Sequence, residues 1–301
     1  MSKLINHYKN GNVTITLFDD GTRVCETDDN YFDFDFPISM DCKITNMCPI
    51  GCKFCHEKST PDGKHGNIMK AEFIDKLHPG TEIAIGGGAV TTHPDLIPFL
   101  QKLKDIGIVA NITVNQKEYE NNIDLIHKLI NDELIHGLGV SFVNMNDDVW
   151  DEILKYPNVV VHLIAGIHGG DVFDYLARKK AKVLVLGYKD FGRGHDFLEH
   201  ASAVVKIQLN WLKNNIAKYI QAFAVTSFDN LAIKQLEIRK QLTENEWREF
   251  YQGDDGSHTM YVDLVNEQFA KTSTSTTRYP LLSNIEDMFK IIKKDSKNQE
   301  D

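Results

Sequence analysis

Between residues 37 and 225, short apolar runs alternate with amphipathic stretches, and that rhythm leaves this 301-residue chain few folds to choose from. Strands are read at 39–45, 82–85, 109–114, 137–143, 159–164, 182–186 and 219–225. Between them, 71–77, 94–104, 119–131, 147–155, 171–179 and 204–217 carry apolar residues three and four apart, the stripe of a helix packed on a sheet. Six or seven βα units result, which is an α/β fold of the partial (β/α)6-type, a TIM-like barrel. In front, 12–27 reads as a β-hairpin: Val13, Ile15 and Leu17 alternate with polar residues before an Asp19-Asp20-Gly21 turn. After Asn230 the rhythm changes to helices at 231–239 and 244–251, a hairpin of 259–264 with 268–272, a helix at 285–293 and a charged tail, 294–301, read as disordered. The expected division is an N-terminal β-hairpin extension (1–36), the barrel (37–228) and a C-terminal extension of helices, hairpin and tail (229–301).

Charge narrows the function classes. Lys and Arg number 33 against 43 Asp and Glu, a net charge of −10, and such a surface repels phosphate backbones, so general nucleic-acid binding is not expected. No run approaches the roughly 20 apolar residues of a membrane span. The opening Met-Ser-Lys-Leu-Ile-Asn-His lacks the apolar core of a signal peptide. The expectation is a cytoplasmic protein with no membrane partner. Of five cysteines, four fall between Cys42 and Cys55, which is the crowding of metal ligands and not the spread of a disulfide framework.

Cys48, Cys52 and Cys55 are spaced by four and three, so one loop can turn three thiolates toward three corners of a cubane. The number matters: electron-transfer clusters generally use four cysteines, and three leave one iron open to an outside ligand. A zinc site from Cys42, Cys48, Cys52 and Cys55, or from three of these with His56, is the alternative, although zinc knuckles usually pair Cys-x2-Cys with a second, distant pair. Cys42, on the incoming strand, reads as an apolar filler.

The arrangement Cys48-x3-Cys52-x2-Cys55, with aromatic Phe54 just before the last cysteine and the loop following a strand, resembles the radical S-adenosylmethionine (radical SAM) motif. The resemblance covers about 37–225. It implies a [4Fe–4S] cluster, with Cys48, Cys52 and Cys55 as metal ligands and catalytic residues, and SAM bound at the open iron. It further implies reductive cleavage of SAM to a 5′-deoxyadenosyl radical that abstracts hydrogen from a substrate, oxygen sensitivity, and an electron donor such as flavodoxin or ferredoxin. In such enzymes the cofactors carry the chemistry while the protein positions them and excludes solvent.

Gly86-Gly87-Gly88, ahead of Thr92-His93-Pro94-Asp95, resembles the superfamily's Gly-Gly-Glu-Pro segment, with Ala89 and Val90 in place of the Glu-Pro pair. By that resemblance the glycines let backbone approach the SAM amino group, and Phe54 lies beside the cofactor. Asn115 ends a segment similar to the third strand's Thr-Asn-Gly. Ser141, with Asn144 behind it, ends one similar to the fourth strand, where Ser or Asn touches the SAM ribose or carboxylate. Ile164 and Gly166 on the fifth strand, and Leu186, Gly187 and Tyr188 on the sixth, correspond to the surroundings of adenine. Each polar residue at a strand end has a second reading as a helix cap or turn former. Lys189 and Arg193 are candidates for an anionic group of SAM or substrate, or for rim pairs with Asp190 or Asp196. His56, beside Glu57, and Asn144 are further substrate candidates, or solvated loop residues.

The substrate is read only as a class, a small molecule, nucleotide or peptide, with a preference for a small anionic one held by Lys189 and Arg193. No cysteine follows Cys55, so the resemblance does not extend to members with auxiliary clusters. The front hairpin is shorter than the usual leader-peptide recognition domain, which weighs against a ribosomal-peptide maturase. Residues 254–277 read as a hairpin that covers the barrel or lines its substrate side. Cys25, in the front hairpin, reads as a packing residue or as a hydrogen donor to a substrate radical. The alternative class is a non-enzymatic iron–sulfur or zinc-binding module with a redox or regulatory role.

Overall fold

The structure, a computed structural model, describes residues 2–297. It opens with β1 (Leu4–Asn10), β2 (Val13–Phe18) and β3 (Arg23–Glu26), antiparallel and in a sheet of their own. The expected hairpin is β2 with β3. β1 adds to it: most of its residues are exposed, so no buried face writes a period-two pattern into its sequence.

The barrel follows with β4 (Ser39–Thr45), β5 (Glu82–Gly87), α1 (Leu96–Asp105), β6 (Val109–Asn115), α2 (Gln116–Asn121), α3 (Ile123–Asn131) and β7 (Gly137–Ser141). It continues with α4 (Asp147–Ile153), β8 (Val159–Ile164), α5 (Gly170–Arg178), β9 (Lys182–Leu186), α6 (Arg193–Ala222) and β10 (Val225–Phe228). Strands β4 to β10 pair in sequence order, all parallel. Successive side chains of a strand point to opposite faces. Met40, Cys42, Ile44, Ile83, Ile85, Ile112 and Val114 are at most 2% exposed and join one continuous core. Their neighbours Asp41, Lys43, Ala84, Gly86, Thr113 and Asn115 line a lumen instead. Because every strand from β4 to β10 lends residues to that lumen, the sheet curls into a partial barrel.

Several helical and strand readings change: the helix read at 231–239 stops at Gln235 before a 3-10 turn, Ile238–Gln241, and the strand read at 137–143 ends at Ser141. Residues expected to form a helix at 71–77 make only 3-10 turns, Ile68–Lys70 and Glu72–Lys76, separated by Ala71 in an extended conformation. The helix expected at 119–131 breaks at Asn122, whose side-chain amide takes the Glu118 carbonyl at 2.8 Å while its N–H turns to Tyr119. Helix α6 is far longer than 204–217 and absorbs the start of the strand expected at 219–225. Tyr219 continues the buried spacing of Leu212 and Ile216 and packs on Phe173 and Phe223, so β10 begins only at Val225.

Then come α7 (Asn230–Gln235), α8 (Glu244–Phe250), β11 (Thr259–Asp263), β12 (Gln268–Ala270), β13 (Tyr279–Pro280) and α9 (Ile285–Lys297). The expected C-terminal hairpin is β11 with β12, and it extends the barrel sheet: β11 runs parallel to β4, Met260 opposite Met40 and Val262 opposite Cys42. Of the tail expected at 294–301, residues through Lys297 belong to α9, and 298–301 lie outside the described residues. The N-terminal sheet sits under the barrel at the N-terminal ends of its strands. There Arg23 pairs with Glu82 at 2.9 Å, Asn158 donates to the Asp19 carbonyl at 3.0 Å, and the Asp20-Gly21 turn reaches the lumen. Chemistry is thereby left to the opposite mouth. Among the described residues no helix is long and apolar enough to cross a membrane.

Candidate functional site

The cysteine loop leaves the C-terminal end of β4, at the barrel mouth where loops from several strands gather. Backbone bonds build it: Cys48 N–H donates to the Thr60 carbonyl at 2.8 Å, and Cys55 N–H to the Cys52 carbonyl at 3.4 Å. Cys52 and Cys55 face a cavity of about 1280 Å³ that fills the lumen; Cys48 is not among its lining residues. All three are half-buried free thiols. Burial raises the Cys52 thiol pKa, Cys55 and Cys48 push the same way, and Arg193 opposes them; burial likewise raises Cys48. The three sulfurs therefore lie within one another's field. Cys42 is buried in the core, and that burial pushes its thiol up to about 12, with Asp263 and Asp41 as its charged neighbours. Cys25 lies half-buried on β3, away from the cavity lining.

Among the described residues no three His, Cys, Asp or Glu side chains converge on a single ion position. A lone zinc needs such convergence. A cubane does not, since each thiolate takes a different iron. Three half-buried thiols on one loop, two of them facing the cavity, are the donor type that an iron–sulfur cluster takes.

The glycine segment divides by role. Gly86 faces the cavity with open space around its Cα. Gly87 has φ 114°, and a Cβ there would come 2.5 Å from the Thr45 carbonyl oxygen; one on Gly88 would come 2.2 Å from that of Met47. These two glycines let β5 and the turn after it nest under the cysteine loop, where Gly88 N–H donates to Thr45 at 2.7 Å and Ala89 N–H to Met47 at 2.8 Å. Ser141, Ile164, Leu186, Gly187 and Tyr188 line the cavity, as do Phe54, His56, Asn115 and Lys189. Among the described residues the Ser141 hydroxyl has no hydrogen-bond partner, whereas the Gly187 and Tyr188 amides are taken by Asp229 Oδ1 at 2.9 Å and Gln235 Oε1 at 2.8 Å.

Three candidates are placed elsewhere. Gly166, φ 86°, packs on Val205 and Leu209 of α6. Asn144 is tied to scaffold: Gln116 Nε2 donates to its side chain at 2.9 Å, and Trp150 Nε1 to its carbonyl at 2.9 Å. Arg193 pairs with neither Asp190 nor Asp196; its Nε donates to the Cys52 carbonyl and its Nη1 to the Ser59 carbonyl, both at 2.9 Å.

Several lumen residues escape sequence reasoning. Lys43 bridges Glu57 at 2.7 Å and Asp263 at 3.2 Å, and Glu57 also accepts from the Tyr261 hydroxyl at 3.2 Å. Burial would raise the Glu57 carboxyl, but His56 and Lys43 hold it down at about 2. Among the described residues Asp41 has no side-chain hydrogen bond or ion pair; enclosure raises its pKa, Lys189 opposes, and Asp255, Asp229 and Glu57 add to the rise. His162 stands over Gly139, where a Cβ would come within 2.5 Å of its ring, and burial holds its imidazole down at about 4, hence neutral. The available signal was polar Asp41 and Lys43 alternating with Met40, Cys42 and Ile44 on an otherwise apolar strand.

No protein-family model matches the chain. Over 130 residues it is 22% identical to the PqqA peptide cyclase of Bradyrhizobium diazoefficiens, a stretch that is 42% of this chain and 33% of that protein. It is similar to Streptococcus suis SuiB bound to precursor peptide SuiA, with a TM-score of 0.58 and 15% identity over 85% of this chain and 65% of that one. SuiB bound to S-adenosylmethionine gives 0.54 and 16% over 85% and 64%. The chain thus spans about a third of the cyclase and just under two thirds of SuiB, and the likeness to SuiB shows the fold, the α/β partial barrel read from the strand rhythm.

Proposed function

We propose that this chain is a radical SAM enzyme that cleaves SAM reductively and abstracts hydrogen from a peptide held in the barrel lumen. The observation that carries the reading is the three-cysteine loop at the C-terminal mouth of the barrel, with Cys52 and Cys55 opening directly onto the cavity. When bound, a reduced [4Fe–4S] cluster and SAM supply an electron and a sulfonium whose cleavage yields a 5′-deoxyadenosyl radical.

The residues do the rest. Cys48, Cys52 and Cys55 would hold the cluster and leave its fourth iron for SAM. Gly86 gives backbone access beside that position, and Ser141 offers an uncommitted hydroxyl on the same rim. Ile164 and Leu186 line the wall on which adenine would rest. Phe54, which meets Phe197 edge-on at 6.2 Å, shields the loop from water. Asp41 and His162 on the strands, and Lys189 just past the end of β9, face the remaining cavity, where substrate would sit. Arg193's engagement with the cysteine loop removes half of the anion site expected from Lys189 and Arg193. A peptide is favoured over a small anion because one relative is named a peptide cyclase and a structural neighbour was solved with a precursor peptide. An electron donor such as flavodoxin or ferredoxin in the cytoplasm would serve it, in keeping with five free thiols.

Anaerobic reconstitution with iron and sulfide, reduction and addition of SAM should give 5′-deoxyadenosine. No product above a Cys55→Ala control would refute the reading. A cluster or zinc site whose spectrum ignores SAM would instead mark a redox or regulatory module.

A further inference from the structure

We propose that Asn115 and Arg193 act together on Cys52, Asn115 donating a hydrogen bond to its sulfur and Arg193 clamping its backbone, so that they pre-form the cluster loop and raise the reduction potential of the cluster. The inference rests on the radical SAM reading and deepens it by assigning positioning residues outside the cysteine motif.

Asn115 Nδ2 stands 3.7 Å from Cys52 Sγ. Its orientation is imposed from the other side: Oδ1 accepts the Lys117 N–H at 3.0 Å, and Glu118 completes a capping box at the start of α2. With the oxygen committed to the helix, the amide N–H is left pointing at the sulfur. The clamp is equally specific. Three donors of one residue meet three carbonyls of the loop: Arg193 N–H to Cys55, Nε to Cys52 and Nη1 to Ser59, each at 2.9 Å. Gly192, φ 58°, permits that approach, since a Cβ there would lie 2.4 Å from the His56 carbonyl oxygen. Arg193 is also the first residue of the 30-residue α6, so the positive end of the helix dipole faces the loop together with the guanidinium.

A reduced cluster carries one more negative charge than an oxidised one. Hydrogen bonds to the ligating sulfurs and nearby positive charge therefore favour the reduced form and raise the potential. Of the three ligand sulfurs, only that of Cys52 receives a side-chain donor among the described residues.

The test uses the full chain, reconstituted anaerobically, with an EPR-monitored redox titration in the absence of SAM and iron and sulfide counts beside it. Asn115→Ser keeps a capping oxygen and removes the N–H. It should load iron like the wild type and melt at the same temperature, yet at a fixed poise show about a tenfold smaller ratio of reduced to oxidised cluster, about 59 mV for one electron. Asn115→Asp keeps the cap and puts an acceptor against the sulfur, so the shift should run the same way and further; it is the check should the Ser variant fold poorly. Arg193→Gln should lower both iron loading and potential. Titrations of both Asn115 variants that superimpose on the wild type would overturn the sulfur bond, and normal loading and potential in Arg193→Gln would overturn the clamp. A wild-type chain that takes up no cluster, or one blind to SAM, would refute the underlying reading and this inference with it; a SAM-responsive wild type with unshifted variants would refute the inference alone.

Discussion

Replacing Lys43 by Met should cost the fold about 3–5 kcal/mol near neutral pH and much less in acid. Lys43 Nζ is the single cation between Glu57 and Asp263, and the three side chains are 6%, 12% and 7% exposed. Met preserves the stem whose Cγ packs beside Gly87 but removes the cation shared by two enclosed carboxylates, leaving Glu57 with Tyr261 and His56 and Asp263 with the Val265 and Asn266 donors. That is the case in which breaking a buried pair is expensive. At roughly 2 °C per kcal/mol for a chain this long, the melting temperature should fall by about 6–10 °C. The pH dependence follows from Glu57. Burial pushes its carboxyl up, but His56 and Lys43 hold it at about 2 in the folded protein, against about 4.3 unfolded. The wild type therefore has this stabilisation in full above about pH 4.3 and loses it as pH falls through about 2. Without Lys43 the burial contribution has less to oppose it, the folded carboxyl titrates higher, and protonation relieves the variant as pH drops. The assay is urea unfolding of both apo-proteins at about pH 7 and about pH 5. A loss under about 1 kcal/mol, or an equal loss at both pH values, would refute a buried, lysine-dependent triad.

The glycine segment gives a paired prediction. Gly88→Ala should lower the melting temperature by an overpacking cost of about 1–3 kcal/mol, because its Cβ meets backbone that cannot swing away; Gly86→Ala, with nothing within 4 Å, should leave the melting temperature unchanged and weaken SAM binding in equilibrium dialysis. Equal melting behaviour of the two would show that the glycines are not divided in this way. Lys189→Ala should spare uncoupled SAM cleavage and abolish substrate turnover, read by chromatography of both products; equal loss of both would move Lys189 to the SAM site. In proton NMR, the His162 ring should stay neutral from about pH 8 to about pH 5, since burial lowers its pKa to about 4, while exposed His195, raised by its hydrogen bond to Asp190, should titrate above the usual value of about 6.5. A His162 resonance that moves near 6.5 would place that ring in solvent.

Three strands, β4, β8 and β9, begin and end at the residues read from sequence, because β4 alternates apolar and polar residues while β8 and β9 are short apolar runs that end against Ala165-Gly166 and Gly187. The cysteine spacing is local in the same sense. Where readings changed, a distant partner had decided: α6 runs on through Tyr219 because Phe173 of α5 buries that ring, and the α2–α3 break depends on one side-chain amide competing with the helix. The site divides along the same line. Lys43 and Asp41 are visible as polar interruptions of an apolar strand, but only the curl of the sheet makes that face a lumen, and only the parallel pairing of β11 on β4 sets Asp263 beside Lys43.

By itself the sequence determined the βα rhythm, the three-thiol loop and the glycines beneath it, all set by spacings of a few covalent bonds. Only the tertiary structure decided what those features meet. Arg193 reaches Cys52 across 141 residues and Tyr261 reaches Glu57 across 204, so Arg193 holds the loop when its residue type alone had pointed to an anion. The physical reason is that a hydrogen bond depends on position in space to a few tenths of an ångström, and over such separations position is set by how the whole sheet twists and closes.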